Sequence, residues 1–338
     1  MKRASSYLAQ ASFNVVQMLH SFSARPYGPV SFLARALNKV AAKPIARRLG
    51  SNQTIVATAY GRSMTMPAEH PLPSNLKYFP QFNRPLGRAL EAIAAQDPCA
   101  PVLTVVDVGA NIGDTVAILE QYLPSLCSYL CIEPDRDLAA LCRSNHIDNS
   151  RVRIEQCFIG ENEGAPVRLQ DNGRANPATK RLTGEPPLND EEHGRLLRLD
   201  TVAIPFADAN GLLSLIKVDT EGYDFSVLRS GKNLLTTYYP SLFFEWFPRL
   251  LRELKEDEWA GFDYLAGLGY YHFVFFTELG DFYCTISHPS RLFLRSLAAV
   301  VLGSSSVSYF DVFASTSEEI CNRLVELSIA EVLPRSQR

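Results

Sequence analysis

The feature that constrains this chain most is an apolar run that ends in an acid and then turns through two glycines. Val102-Leu103-Thr104-Val105-Val106 leads into Asp107, followed by Val108-Gly109-Ala110-Asn111-Ile112-Gly113-Asp114. A continuous β-branched run of this kind reads as a strand buried on both faces, as in a parallel sheet covered by helices. Gly109 has no Cβ, so the chain can turn tightly there and bring bare backbone to a ligand. Gly113 lets the following helix start pack closely, and the first N–H groups of a helix attract the negative end of a ligand. Twenty residues beyond Gly113, Cys131-Ile132-Glu133-Pro134 sets a carboxylate at the tip of a second apolar run. An acid at that tip can accept both ribose hydroxyls of an adenosine. Glycine turn and strand-tip acid together make a nucleotide-binding pattern.

The same alternation runs on through the chain. Strand-like runs occupy residues 102–106, 128–132, 152–157, 213–218 and 241–244, and helical patterns fall at 86–95, 112–122, 138–145 and 225–235. Strands alternating with helices imply an α/β fold with a mostly parallel sheet and helices on both faces. Residues 270–276 and 308–313 are also strand-like and are expected to pair antiparallel at the sheet edge, completing seven strands. Residues 160–196 are rich in Gly, Asn, Pro and charge and read as one long loop, the kind that shapes an acceptor pocket. Apolar residues 292–302 read as an amphipathic helix too short to span a bilayer. The divisions expected are a proline-punctuated N-terminal extension (1–85), the α/β domain (86–315) and a helical tail (316–338).

Charge narrows the partners. The formal net charge of -3 argues against binding nucleic acid through bulk charge. No acid precedes Glu69, whereas Lys2, Arg3, Arg25, Arg35, Lys39, Lys43, Arg47, Arg48 and Arg62 are basic. Residues 7–22 mix Leu8, Phe13, Val16 and Leu19 with polar positions, a basic amphipathic helix suited to an anionic membrane surface or to packing on the domain. A cytoplasmic chain is expected, with peripheral contact at the inner membrane face on the first of these options and an arm packed on the domain or on a partner subunit on the second. Seven scattered cysteines without a Cys-x-x-Cys pair imply reduced thiols, not a zinc site or a disulfide framework.

A second acidic cluster follows the run 213–218. Asp219 and Glu221 in Ile216-Lys217-Val218-Asp219-Thr220-Glu221-Gly222-Tyr223-Asp224 emerge at a strand end, and Phe243-Phe244-Glu245-Trp246 brings a third acid to another. In a parallel α/β sheet these ends form the ligand crevice. Carboxylates gathered there raise one another's pKa or hold a cation, and Lys217 offers a purely structural partner. Asp219 or Glu221 is the first choice as general base, with Glu245 and His272 behind; Mg²⁺ bound by the acids is the alternative. His70, among prolines, is assigned at most to a lid.

The turn itself discriminates between cofactors. Gly-x-Asn-x-Gly departs from the Gly-x-Gly-x-x-Gly of dinucleotide sites. Asp107 would repel a pyrophosphate but suits the ammonium of a methionyl group, and no Tyr-x-x-x-Lys occurs. S-adenosylmethionine is the expected cofactor. Val106-Asp107-Val108-Gly109-Ala110-Asn111-Ile112-Gly113, Ile132-Glu133-Pro134, the Lys217–Tyr223 stretch with Val227-Leu228-Arg229-Ser230-Gly231, and Pro240–Glu245 together resemble the FkbM family of methyltransferases. The resemblance implies a Rossmann-like class I methyltransferase domain. In it Asp107, Gly109, Asn111, Gly113 and Glu133 hold the cofactor, and Asp219 and Glu221 line the reaction side. It also implies O-methylation of a sugar, glycan or related natural product. The rival reading is a non-catalytic scaffold of the same fold in a glycan-assembly complex.

Overall fold

The computed structural model describes residues 54–97, 102–171, 180–183, 193–303 and 307–333. The basic segment 7–22 and Cys99 lie outside the described residues. The chain divides into two compact units, one of Met1–Pro80 with Asp171–Lys180, the other of Gln81–Gln170 with Arg181–Arg338.

In the first unit β1 (Thr54–Ala59) and β2 (Arg62–Pro67) form an antiparallel hairpin, and α1 (Leu72–Tyr78) follows. The second unit begins with α2 (Arg84–Ala94), β3 (Leu103–Val108), α3 (Asp114–Tyr122), β4 (Cys127–Ile132), α4 (Arg136–Asn145) and β5 (Val152–Glu155). Next come β6 (Phe158–Ile159), β7 (Pro166–Asp171), β8 (Lys180–Thr183) and β9 (His193–Leu197), which make a separate four-stranded sheet in the order β6-β9-β7-β8. The stretch expected as one long loop is therefore largely strand where it is described.

The chain then returns to the main sheet through α5 (Leu199–Asn210), β10 (Leu213–Val218), α6 (Asp224–Ser230), α7 (Lys232–Tyr238) and β11 (Ser241–Trp246). The single helix expected over 225–235 is broken at Gly231, where an added Cβ would press on Leu199. After α8 (Pro248–Glu253) and α9 (Ala260–Gly267) come β12 (His272–Thr277), β13 (Phe282–Ser287), α10 (Arg291–Gly303), β14 (Phe310–Ser315) and α11 (Glu318–Val332).

The main sheet has eight strands in the order β13-β12-β14-β11-β10-β3-β4-β5, one more than the seven expected. Strands β5, β4, β3, β10 and β11 are parallel, while β14, β12 and β13 add antiparallel. The expected pairing of β12 with β14 is present, but β14 lies inside and β13 forms the edge. Half-exposed alternation along β13 hides it from a search for apolar runs.

Period-two alternation decides what each face carries. Val106 and Val108, Leu130 and Ile132, Ile216 and Val218, Phe244 and Trp246, and Phe310 and Val312 all enter one core, with side chains from α5, α6, α7, α9 and α10. Helix α11 packs on β12, β13, β14 and α2, and α2 packs on α3; their buried residues belong to none of that core, so they cover the other face. Asp107, Lys217, Glu245 and Asp311 stand at the alternate positions and thus share that second face. The order reverses beside β3, since β4 follows on one side and β10 lies on the other. Such a switch point leaves a crevice at the strand C-termini. The architecture is Rossmann-like, as the sequence implied.

Candidate active site

The crevice is built from the ends of β3 and β10. Asp107 and Lys217 are direct partners across the two strands. Lys217 Nζ lies 3.1 Å from Asp107 Oδ1, 3.3 Å from Asp219 Oδ2 and 3.4 Å from the Gly109 carbonyl oxygen. Asp107 is 1 % exposed, and among the described residues neither of its oxygens has a partner of hydrogen-bond geometry. Lys217, at ion-pair distance, and Thr115 on α3 are polar groups beside it. Burial raises the Asp107 pKa, and Lys217 pulls it back. For Lys217 burial opposes the charge, but Asp107, Asp219 and Asp114 outweigh it and raise its pKa well above the usual value.

The two glycines have structural reasons that differ in part from those expected. Gly109 has φ +83°, and a Cβ there would overlap the carbonyl oxygen of Asp219. The space spared by this glycine is thus filled by the tip of β10, whose Asp219 N–H donates to Val108 O at 2.9 Å. Gly113, also at φ +83°, is the N-cap of α3, and a Cβ would crowd His146 and Cys142 of the α4 end. Its own N–H is not free for a ligand, because it donates to Ala110 O at 2.8 Å. Between them Asn111 adopts φ +50°, a left-handed conformation that asparagine tolerates better than most residues.

Glu133 follows β4 and closes the turn from the other side. Its Oε2 accepts the Asn111 N–H at 2.8 Å and its Oε1 the Asp135 N–H at 2.9 Å. A carboxylate has about four acceptor directions, so each oxygen keeps one for a ligand. Glu133 is 6 % exposed. Burial pushes its pKa up to about 7, against the two N–H bonds, which favour the charged form.

On the reaction side Asp219 is the accessible acid, its side chain 42 % exposed. Glu221 sits in the following turn at φ +53°. Asp224, which the sequence reading left unassigned, builds that turn: it accepts the Gly222 N–H at 3.2 Å, the Thr220 hydroxyl at 3.3 Å and the Glu245 N–H at 3.3 Å. Burial and the charge of Asp219 raise its pKa to about 8. Glu245 pairs across the sheet with Asp311, and burial with the charges of Asp219 and Asp224 holds its carboxyl well above the usual range. Asp311 is raised by burial and Asp219. Burial also raises Tyr309, which is hydrogen-bonded to Glu245. Asp114 belongs to the same field: burial raises it, Lys217 lowers it and Asp219 raises it again.

The sequence-assigned groups thus gather at one sheet end, with the exception of the histidines. His272 pairs with Ser287 and Ser315 at the opposite end of β12, where its Nδ1 is 2.8 Å from Ser287 Oγ. A proton acceptor at the β10 tip is out of its reach. His70 belongs to the first unit, and its Nδ1 accepts the Leu72 N–H at 3.3 Å. Among the described residues no group of three or more His, Cys, Asp or Glu side chains is disposed to hold a metal ion. The described cysteines are all free, and no described helix is long and apolar enough to cross a membrane.

Residues 107–270 match the methyltransferase FkbM domain. No curated protein matches the chain in sequence. A solved methyltransferase FkbM from Methylobacillus flagellatus KT is similar at 16 % identity and TM-score 0.34, over 70 % of this chain and 53 % of that one. This chain therefore spans about half the length of that protein. A precorrin-6y C5,15-methyltransferase from Geobacter metallireducens GS-15 is 10 % identical at TM-score 0.33, over 68 % and 86 % of the two chains. The METTL16 MTase domain is 10 % identical at TM-score 0.40, over 85 % and 80 %. The residues matched by the methyltransferase FkbM domain, 107–270, span the glycine turn, the Glu133 tip and the Lys217–Asp219 tip, the segments that meet at the switch point.

Proposed function

We propose that this chain transfers a methyl group from S-adenosylmethionine to a hydroxyl oxygen of a sugar, glycan or related natural product, with Asp219 as the general base. The observation that carries the reading is the pairing of two differently prepared acids across one crevice. Buried Glu133 keeps one free acceptor direction per oxygen, and buried Asp107 lacks a hydrogen-bond partner of good geometry. The first suits a ribose diol, the second the ammonium of a methionyl chain. Bound there, S-adenosylmethionine supplies an electrophilic methyl carbon on a sulfonium whose charge is lost in the transfer.

The chain's own residues do the rest. Glu133 and the Gly109–Gly113 turn fix the adenosyl part, and fixing the reactants in line supplies several kcal/mol of the barrier. Asp219 is exposed enough to meet an acceptor, and it sits beside the cofactor side through Lys217 and the Val108 carbonyl. Its carboxylate accepts the hydroxyl proton as the new carbon–oxygen bond forms. Atoms balance as acceptor hydroxyl plus sulfonium giving methyl ether, thioether and one proton on Asp219. Glu221 and Glu245 line the acceptor side. Glu245, opposite Asp311 on the same face, is placed to hydrogen-bond the acceptor.

The test is methyl transfer from labelled S-adenosylmethionine to a panel of sugars and polyols, with the product located by mass spectrometry. Label in a methyl ether, lost by orders of magnitude in Asp219→Asn at unchanged cofactor affinity, supports the reading. Label on nitrogen or carbon overturns it, and a chain that fails to bind S-adenosylmethionine supports the scaffold reading instead. EDTA leaves the rate unchanged on this account; loss restored by Mg²⁺ would replace the base with a metal.

A further inference from the structure

We propose that Lys217 is a positioning residue for the transfer, an ammonium tether that holds the base Asp219 to the cofactor-side carboxylate Asp107 and to the Gly109 backbone. The proposal rests on the reading of Asp219 as base.

An ammonium has three donors in a compact head. Here three oxygens surround it, from Asp107, Asp219 and the Gly109 carbonyl, at 3.1, 3.3 and 3.4 Å. Two of these belong to the glycine turn and one to the reaction side. The Lys217 side chain is 12 % exposed, so the contacts are shielded from solvent in a way surface pairs are not. Strand periodicity fixes the arrangement: Lys217 is opposite Asp107 in register, and Asp219, two residues on, leaves the strand toward the same face. The Asp219 N–H bond to Val108 O anchors only the backbone. Its half-exposed carboxylate needs a second hold to keep one direction, and Lys217 provides it.

Charge makes the same point. Asp219 faces Asp107 on β3, Asp114 on α3, Asp224 on α6, Glu245 on β11 and Asp311 with Tyr309 on and beside β14. Glu221 follows it in the turn. Lys217 is the cation set among these groups. Without it Asp219 would stand among acids with its nearest compensating charge removed, and their repulsion would turn its carboxylate away from the cofactor side. A group that merely filled space on β10 would have no such effect.

The experiment compares labelled methyl transfer at saturating S-adenosylmethionine in the parent, Lys217→Met and Lys217→Arg chains, each checked for folding by thermal melting. Lys217→Met is expected to lower turnover about tenfold or more, because the base is no longer held in line, and Lys217→Arg to return most of it. Should Lys217→Met not fold, Lys217→Gln reads the same loss with a polar side chain in place. Unchanged turnover in a folded variant overturns the tether, as does a loss that Lys217→Arg does not reverse. The base reading fails separately: if Asp219→Asn still transfers labelled methyl, Asp219 is not the base, whatever the Lys217 variants show.

Discussion

Glu133 gives the site a pH dependence whose size follows from its surroundings. Its pKa is raised by burial from 4.5 to about 7. The folded chain alone therefore takes up a proton here between those values. With a folded pKa above the unfolded one, the contribution to stability is present below about pH 4.5 and lost as pH rises through about 7. Binding works in the opposite sense. Two backbone N–H groups and two ribose hydroxyls make four donors for one side chain, and only the ionised carboxylate accepts all four. At about pH 6 roughly a tenth of the chain is ionised at Glu133, and at about pH 8 roughly nine tenths. S-adenosylmethionine should thus bind about tenfold more tightly at about pH 8 than at about pH 6, with proton release on the acid side. Calorimetric titration across that range measures both. Glu133→Gln removes the titration and loses charged hydrogen bonds of about 1.5–3 kcal/mol each, so its affinity should fall roughly hundredfold and become flat with pH. A parent chain with flat affinity, or a glutamine variant that binds as the parent does, refutes the reasoning.

Gly109→Ala places a Cβ on the Asp219 carbonyl at φ +83°; the backbone conformation alone costs about 1–3 kcal/mol, so the melting temperature should drop clearly and cofactor binding with it. Asp107→Asn leaves Lys217 short of one buried partner, and breaking a buried pair costs on the order of 3 kcal/mol, to be read from urea unfolding alongside weaker cofactor binding. Asp224→Asn loses one acceptor for the Gly222, Thr220 and Glu245 donors, a loss of about 1–3 kcal/mol. Because Asp224 is raised from 3.8 to about 8, its contribution to stability is present below about pH 4 and lost as pH rises through about 8, so stability measured against pH should fall less steeply in the variant.

The parallel half of the sheet was legible because its strands are buried on both faces, and Leu103–Val108 and Leu213–Val218 read as unbroken apolar runs. The candidate acids were legible for the same reason. Asp107, Glu133, Asp219 and Glu245 stand at or just past the ends of such runs. Other features left no local trace. Asp311 reaches the site only through the antiparallel register of β14 against β11, which is a tertiary fact. Strand β13 is half exposed and carries no apolar run. The strands within 160–197 are short, and their pairing, not their composition, makes them a sheet. Gly109 was identified correctly as a position that needs a glycine, but the neighbour that requires it is Asp219, more than a hundred residues on.

The central claim is that the ends of β3, β4 and β10 together receive an adenosyl cofactor. A crystal structure of the full chain with S-adenosylhomocysteine tests it most directly. The account expects both ribose hydroxyls on the two Glu133 oxygens, the amino-acid end beside Asp107 and Gly109, and the sulfur facing Asp219. Density for the ligand at any other sheet edge, or a ribose held by groups other than Glu133, would contradict it.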